Sequence, residues 1–177
     1  MNYIALFRGI NVGGKNRVKM ADLKEIFNGL GCQDVVSYIQ SGNLIFSTDE
    51  AIEVLAAKVA VCFMQRFGFE TTVVYLTKEQ FLQVIEDLPF SATEILHTEE
   101  KNPKVAHLYV GFSAEQITSA SLLMKSERAI VAGKKVYFLM DDSIRFSKIV
   151  PKIAKDSKSM TLRNWKTVLK LADLLEK

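Results

Sequence analysis

The order of periodic segments predicts an α+β fold. Three observations carry it. Residues 3–9, 35–39, 44–46 and 70–76 read as strands, and apolar stripes of helical period lie between the first and second and between the third and fourth. The resulting β-α-β-β-α-β order is that of a ferredoxin-like plait. A strand, a helix, a hairpin and two more helices then follow from Val105, which predicts a duplication: a second, degenerate plait ending in an amphipathic C-terminal helix. The expected organisation is a first plait over 1–77, a helix and connecting loop over 78–104, and a second α+β plait over 105–177.

Each element has a local cause. In the first strand Tyr3, Ala5 and Phe7 share one face and Ile4 and Leu6 the other. Apolar residues on both faces mark a central strand covered on both sides, by a partner subunit in a homodimer or by the second plait. Met20, Leu23, Ile26, Phe27 and Leu30 fall at helical spacing, and Gly31 is a stop signal. Gln40-Ser41-Gly42-Asn43 has the composition of a hairpin turn. Ser47-Thr48-Asp49-Glu50 and Thr77-Lys78-Glu79-Gln80 have capping-box spacing. Ile52, Leu55, Val59, Cys62 and Phe63 make one stripe of a helix that stops near Gly68. Residues 91–104 read as polar and irregular. Ser113–Lys125 reads as a helix, Arg128–Ala132 and Val136–Met140 as a hairpin around Gly133-Lys134, and Ile144–Ala154 as a helix that Pro151 starts or breaks. The last helix is expected from Thr161 to Glu176, with Leu162, Trp165, Leu169 and Ala172 on its apolar stripe, widened by Val168, Leu171 and Leu175.

Composition bounds the function classes. Of the 177 residues 49% are apolar and 24% charged, as in globular proteins. No apolar run approaches the roughly 18 residues of a membrane span, so no membrane role is expected. The N-terminus enters a strand without a basic segment or cleavage site, and Cys32 and Cys62 form no C-x-x-C pair; both point to a cytoplasmic protein with reduced thiols. His97 and His107 have no second ligand at metal-binding spacing, so no metal and no cofactor are expected, and His107 reads as a surface or interface residue. No nucleophile is paired with a base, so no catalytic residue is named. The net charge of +3 hides a split: residues 1–20 total +4, residues 21–142 total −7 and residues 143–177 total +6. The basic ends suit a polyanionic partner.

The chemistry concentrates in Phe7-Arg8-Gly9-Ile10-Asn11-Val12-Gly13-Gly14-Lys15-Asn16-Arg17. This loop combines glycines, free backbone N–H groups and positive charge, which suits holding an anion. It is one residue from a P-loop. Asn16 stands where the magnesium-binding hydroxyl belongs, however, and the next helix starts too late to aim its N-terminus at phosphates. Asp141-Asp142 ends an apolar strand, as the acid of such enzymes does, but that strand sits in a hairpin. An RNA-recognition platform would need several aromatics on adjacent central strands, and the first and third strands supply at most one each over Ile4–Gly9 and Asn43–Phe46, with no basic-glycine-aromatic run.

The motifs Leu6–Asn16, Met20-Ala21-Asp22-Leu23, Tyr38–Asn43 and Thr161-Leu162-Arg163-Asn164-Trp165-Lys166-Thr167-Val168 resemble the bacterial family called domain of unknown function 1697. The resemblance runs in order from end to end. It departs at Asp142–Lys148, which lacks the expected glycines. It implies a pair of ferredoxin-like plaits and no established activity, and it singles out Arg8–Asn16, Gln40–Asn43 and Arg163–Trp165.

The expected site is therefore an anion site. Arg8, Lys15 and Arg163 supply charge, and the amides of Gly13 and Gly14 cradle oxygens. Asn11, Asn16, Ser41, Asn43 and Asn164 fix orientation, and Trp165 walls the pocket. The ligand would be a nucleotide, a phosphometabolite or a nucleic-acid backbone. Two alternatives stand beside it: a structural role in which these segments order the subdomain interface, and a magnesium-dependent phosphoryl-transfer enzyme with a degenerate P-loop.

Overall fold

A computed structural model describes residues 1–177. It is a mixed α+β protein with two antiparallel sheets and six α-helices. The chain divides into two compact units: Met1–Leu82 with Asp173–Lys177, and Gln83–Ala172.

In the first unit the elements run β1 (Asn2–Phe7), α1 (Met20–Gly29), β2 (Gln33–Tyr38), β3 (Asn43–Ser47), α2 (Ile52–Phe67) and β4 (Val73–Thr77). The sheet order is β2-β3-β1-β4, with every neighbour antiparallel, so β1 is central as its two apolar faces require. Ile4 and Leu6 are fully buried on one face. Tyr3, Ala5 and Phe7 enter a core with Leu23, Phe27, Phe46, Leu55, Val59 and Phe63 on the other. Burying a side chain of this size contributes about 1.5–3 kcal/mol. The rings of Phe27 and Phe46 sit 4.9 Å apart, close enough for edge contacts to add to that burial. Helix α2 ends at Gly68 with φ 77°, a left-handed cap that glycine takes without strain. It starts at Ala51 without a side-chain cap, because the Thr48 hydroxyl accepts from Glu50 N instead. The Ser47–Glu50 capping box expected from sequence therefore does not form. The box at Thr77–Gln80 does: Thr77 N donates to Gln80 Oε1 at 3.0 Å and Gln80 N to Thr77 Oγ1 at 3.2 Å, opening α3 (Lys78–Glu86).

The second unit holds α4 (Ala92–Lys101), β5 (Leu108–Phe112), β6 (Leu122–Leu123), β7 (Glu127–Ala132), β8 (Lys135–Met140), α5 (Val150–Asp156) and β9 (Thr161–Asn164). Helix α6 runs from Trp165 to Glu176. The sheet order is β6-β7-β8-β5-β9. Ala129, Val136, Phe138, Met140, Ile149 and Ile153 form its core.

Several expectations fail here for identifiable reasons. Residues 91–104 are not irregular. Ser91 and Glu94 close a reciprocal capping box, Ser91 N to Glu94 Oε2 at 2.8 Å and Glu94 N to Ser91 Oγ at 3.2 Å, and α4 follows. Ser113–Lys125 is not a helix, because its hydroxyls and amides bond elsewhere. Ser113 Oγ lies 2.7 Å from Ser157 Oγ, Ile117 N donates to Gly133 O, and Ser121 Oγ accepts from Val131 N. Over Ile144–Ala154, Pro151 marks a start: residues 144–146 make a 3-10 turn, and α5 has the proline in its first turn. Thr161–Asn164 is a strand on the edge of the sheet, paired with β5, and α6 starts only at Trp165. The buried stripe of α6 is Val168, Leu171, Ala172 and Leu175, while Leu169 is exposed. His107 is buried, not superficial: Nδ1 lies 2.7 Å from Met140 O and Nε2 2.8 Å from Asn102 O.

Candidate functional site

The glycine-rich loop leaves β1 pinned on both sides. Phe7 N donates to Gly42 O at 2.8 Å, Arg8 N to Thr72 O at 2.9 Å, and Thr71 Oγ1 to Arg8 O at 2.6 Å. The Gln40–Asn43 turn is therefore its neighbour, as the parallel sense of β1 and β2 within the sheet demands. Gly42 makes the approach achievable. Its φ is 74°, and a Cβ there would sit 2.6 Å from both Ile10 Cδ1 and Phe7 Cβ.

Asn11 is the knot of the loop. Its backbone is left-handed at φ 55°, a conformation asparagine tolerates better than most residues. Its Nδ2 donates to Val18 O and to Gln40 O, each at 2.8 Å, and its Oδ1 accepts from Val18 N at 2.8 Å. Asn16, also left-handed, donates through Nδ2 to Gly9 O at 3.1 Å, and its carbonyl accepts from Asn11 N at 3.0 Å. Lys15 N donates to Val12 O at 3.0 Å. Asn43 is fully buried, and its Nδ2 donates to Tyr38 O at 3.0 Å and to Ser41 Oγ at 2.9 Å. Asn11 and Asn43 thus hold backbone in place and have no amide hydrogen left for a ligand. Asn16 closes the loop upon itself, which is incompatible with the metal-binding place its position in a P-loop would give it.

What the scaffold presents is charge. Arg8, Lys15, Arg17 and Lys19 are exposed and pair with no carboxylate. The amides of Gly13 and Gly14 donate to no protein acceptor. Two clefts flank the loop. One, of about 520 Å³, is lined by Gly14, Arg17, Lys19, Gln40 and the Asp22–Arg66 pair. Asp22 is neutralised there by Arg66 Nη2 at 2.8 Å, which also reaches Glu25 at 3.1 Å and raises the guanidinium's affinity for its proton. The other, of about 490 Å³, is lined by Arg8, Gly9, Asn16 and the acid Glu70.

Arg163, Asn164 and Trp165 lie in the second unit. Arg163 is buried on β9, with Nη1 donating to Thr161 Oγ1 and Leu162 O at 2.8 Å each, and burial pulls its guanidinium down to about 10. Asn164 Oδ1 accepts from Thr167 N at 2.9 Å and so caps α6. The helix start expected at Thr161 is a strand instead, and the N-terminus of α6 is capped. Asp141 and Asp142 are engaged as well: Asp141 by Lys101 at 2.8 Å, Asp142 by Asn102 Nδ2 at 3.1 Å and Ser143 N at 2.7 Å. Sequence reasoning left out Arg17, Lys19 and Thr71. The first two were legible as charge in the same basic run; Thr71 is remote in sequence and reaches the loop only through β4.

The family described as "Protein of unknown function (DUF1697)" matches residues 1–138. The chain belongs to the DUF1697 family. Among solved structures, this DUF1697 chain is similar to that of the conserved bacterial protein SP0830 from Streptococcus pneumoniae. The two are 28% identical, 98% of each chain is covered, and the TM-score is 0.68. No curated protein matches the DUF1697 chain. No helix is long and apolar enough to cross a membrane.

Proposed function

We propose that the chain binds a phosphate-bearing ligand on the Arg8–Lys19 loop. The observation that carries this is a rigid scaffold presenting unpaired charge. Asn11 and Asn16 spend their side chains fixing the loop, while Lys15, Arg17 and Lys19 stay exposed beside the free amides of Gly13 and Gly14. Preorganised N–H groups beside cations suit a phosphate, because the loop backbone has little further ordering cost to meet on binding. Arg66 cancels Asp22, so the larger cleft does not repel an anion. Ser41 and Asn43 act from behind, as supports. Arg163, Asn164 and Trp165 are the second unit's candidates for the same ligand. We read the two units as a duplicated ferredoxin-like pair, which the β2-β3-β1-β4 order of the first unit supports.

The test is a thermal-shift panel of inorganic phosphate, pyrophosphate, ATP and GTP on wild type and a Lys15→Ala/Arg17→Ala variant. Both side chains are exposed and unpaired, so the variant should melt with the wild type when no ligand is present. A ligand at a hundred times its Kd adds about 2.7 kcal/mol of stability, a shift of several degrees, and the variant should lose it. Equal shifts in both proteins, or none with any phosphate, would overturn the reading. A second reading is carried by the full commitment of Asn11 and Asn43: the loop and turn are purely structural. It predicts no shift with any of these ligands.

A further inference from the structure

The second unit has its own exposed basic segment. Arg145, Lys148, Lys152, Lys155 and Lys158 are all exposed, and none pairs with a carboxylate. The one acid within residues 143–160, Asp156, accepts a hydrogen bond from Ser119. Lys152 and Lys155 are spaced i, i+3 on α5, about 4.5 Å apart along its axis, and Lys148 lies in the bend that leads into the helix. Phe146, in the middle of this charge, is 72% exposed.

The aromatic ring is held out by a fixed frame. The buried Glu127 carboxylate takes Lys148 N at 2.8 Å, Ile149 N at 3.4 Å and the Ser147 hydroxyl, while Ile149 and Ile153 are buried in the core. Phe146 N donates to Ser143 O at 2.9 Å and closes the 3-10 turn. Beside the ring is a cleft of about 260 Å³ lined by Ser126, Glu127, Met140, Asp142, Ser143 and Ser147. The Ser126 hydroxyl has no protein partner, and Asp142 accepts from Asn102 and Ser143 through Oδ1 alone. An acid repels phosphate and accepts N–H groups. The cleft therefore suits a flat heterocycle bearing an amino group, and the phosphates attached to it would fall on the lysines outside.

We propose that Phe146, its cleft and the Arg145–Lys158 segment bind single-stranded nucleic acid, with one amino-bearing base stacked on Phe146 and the backbone following Lys148, Lys152 and Lys155. Stacking on an exposed ring and a basic track for the backbone are the two components of such binding. An anionic membrane fits less well. Ile153 of α5 is buried, so Phe146 is the only large exposed apolar side chain of the segment, and Asp142 stands beside it. The inference is independent of the Arg8–Lys19 loop.

The experiment is fluorescence anisotropy of the full chain with labelled oligo-C, oligo-A and oligo-U, at about 50 and about 200 mM salt. Phe146→Ala should weaken binding roughly 5- to 150-fold without lowering the melting temperature, since the ring is exposed. Lys152→Ala/Lys155→Ala should flatten the slope of log K against log salt by roughly 1.4. Oligo-C and oligo-A should bind more tightly than oligo-U, and Asp142→Asn should narrow that gap. Absence of binding at the lower salt would overturn the proposal, as would unchanged affinity in Phe146→Ala. So would a Lys15→Ala variant that loses as much affinity as Phe146→Ala, which would place the contact on the first unit's loop. Binding to vesicles rich in phosphatidylserine but not to oligonucleotides would assign the surface to membranes and overturn it equally.

Discussion

Asn11 satisfies three backbone groups of two different segments with one side chain while itself standing in the left-handed region. Asn11→Asp keeps the acceptor for Val18 N but points a second oxygen at the carbonyls of Val18 and Gln40. A loss of about 1–3 kcal/mol is expected in chemical denaturation. Asn11→Gly, which keeps the backbone conformation, should cost the hydrogen bonds but not the added repulsion. Tyr75 is the opposite case. Its hydroxyl is buried with no partner, and burial holds its proton well above the usual phenol range. Tyr75→Phe removes a polar group that gains nothing from folding, so stability should stay level or rise by about 1 kcal/mol. A fall would show that the hydroxyl is satisfied. The asparagines of the loop were legible in the sequence as polar residues in a distinctive run. Their role as supports was not, because whether an amide faces ligand or backbone depends on the carbonyls that surround it.

Among the elements, α4 shows how local signals compete. Ser91-x-x-Glu94 carries a capping box that the sequence states as openly as Thr77-x-x-Gln80, but the polar composition of the helix behind it obscured the pattern. The converse holds for Ser47–Glu50, where the spacing is present and the box is not. Glu94 also takes Arg128 Nη1 at 2.6 Å, and that bond, with those from Ser91, lowers its carboxyl from 4.5 to about 2. A carboxyl depressed in the folded state contributes stability that is present above its unfolded value and lost as pH falls through the folded one. The contribution should therefore hold at neutral pH and disappear between about 4.5 and about 2. Glu94→Gln should be less stable than wild type at pH near neutrality, and the gap should close in melts recorded toward the acid end of that window. A gap that stays constant with pH would show that the Arg128 pair contributes nothing.

At the scale of the whole molecule, each unit has an apolar cluster of its own. Phe27 in the first and Phe138 in the second are fully buried. Phe27→Ala and Phe138→Ala should each cost about 3–5 kcal/mol in denaturant titrations, since the cavity left adds to the lost burial. A loss below about 1 kcal/mol at either would mean that its cluster collapses around the gap. The family match over residues 1–138 agrees with the resemblance carried by the loop and turn motifs.

The sequence by itself determined the α+β class, the centrality of β1, the run β1-α1-β2-β3-α2-β4 and the proximity of the glycine loop to the Gln40 turn. These follow from periodicity, glycine placement and strand direction, which are local or nearly so. Only the tertiary structure decided that Ser113–Lys125 is not a helix, that Thr161–Asn164 joins a sheet, that His107 is buried and that Phe146 stands exposed. In each of these cases the deciding partner lies far along the chain: Gly133 and Ser157 for the first, β5 for the second, Met140 for the third, Glu127 for the last. Local propensity is worth a few tenths of a kcal/mol per residue, and a buried hydrogen bond made across the fold outweighs it.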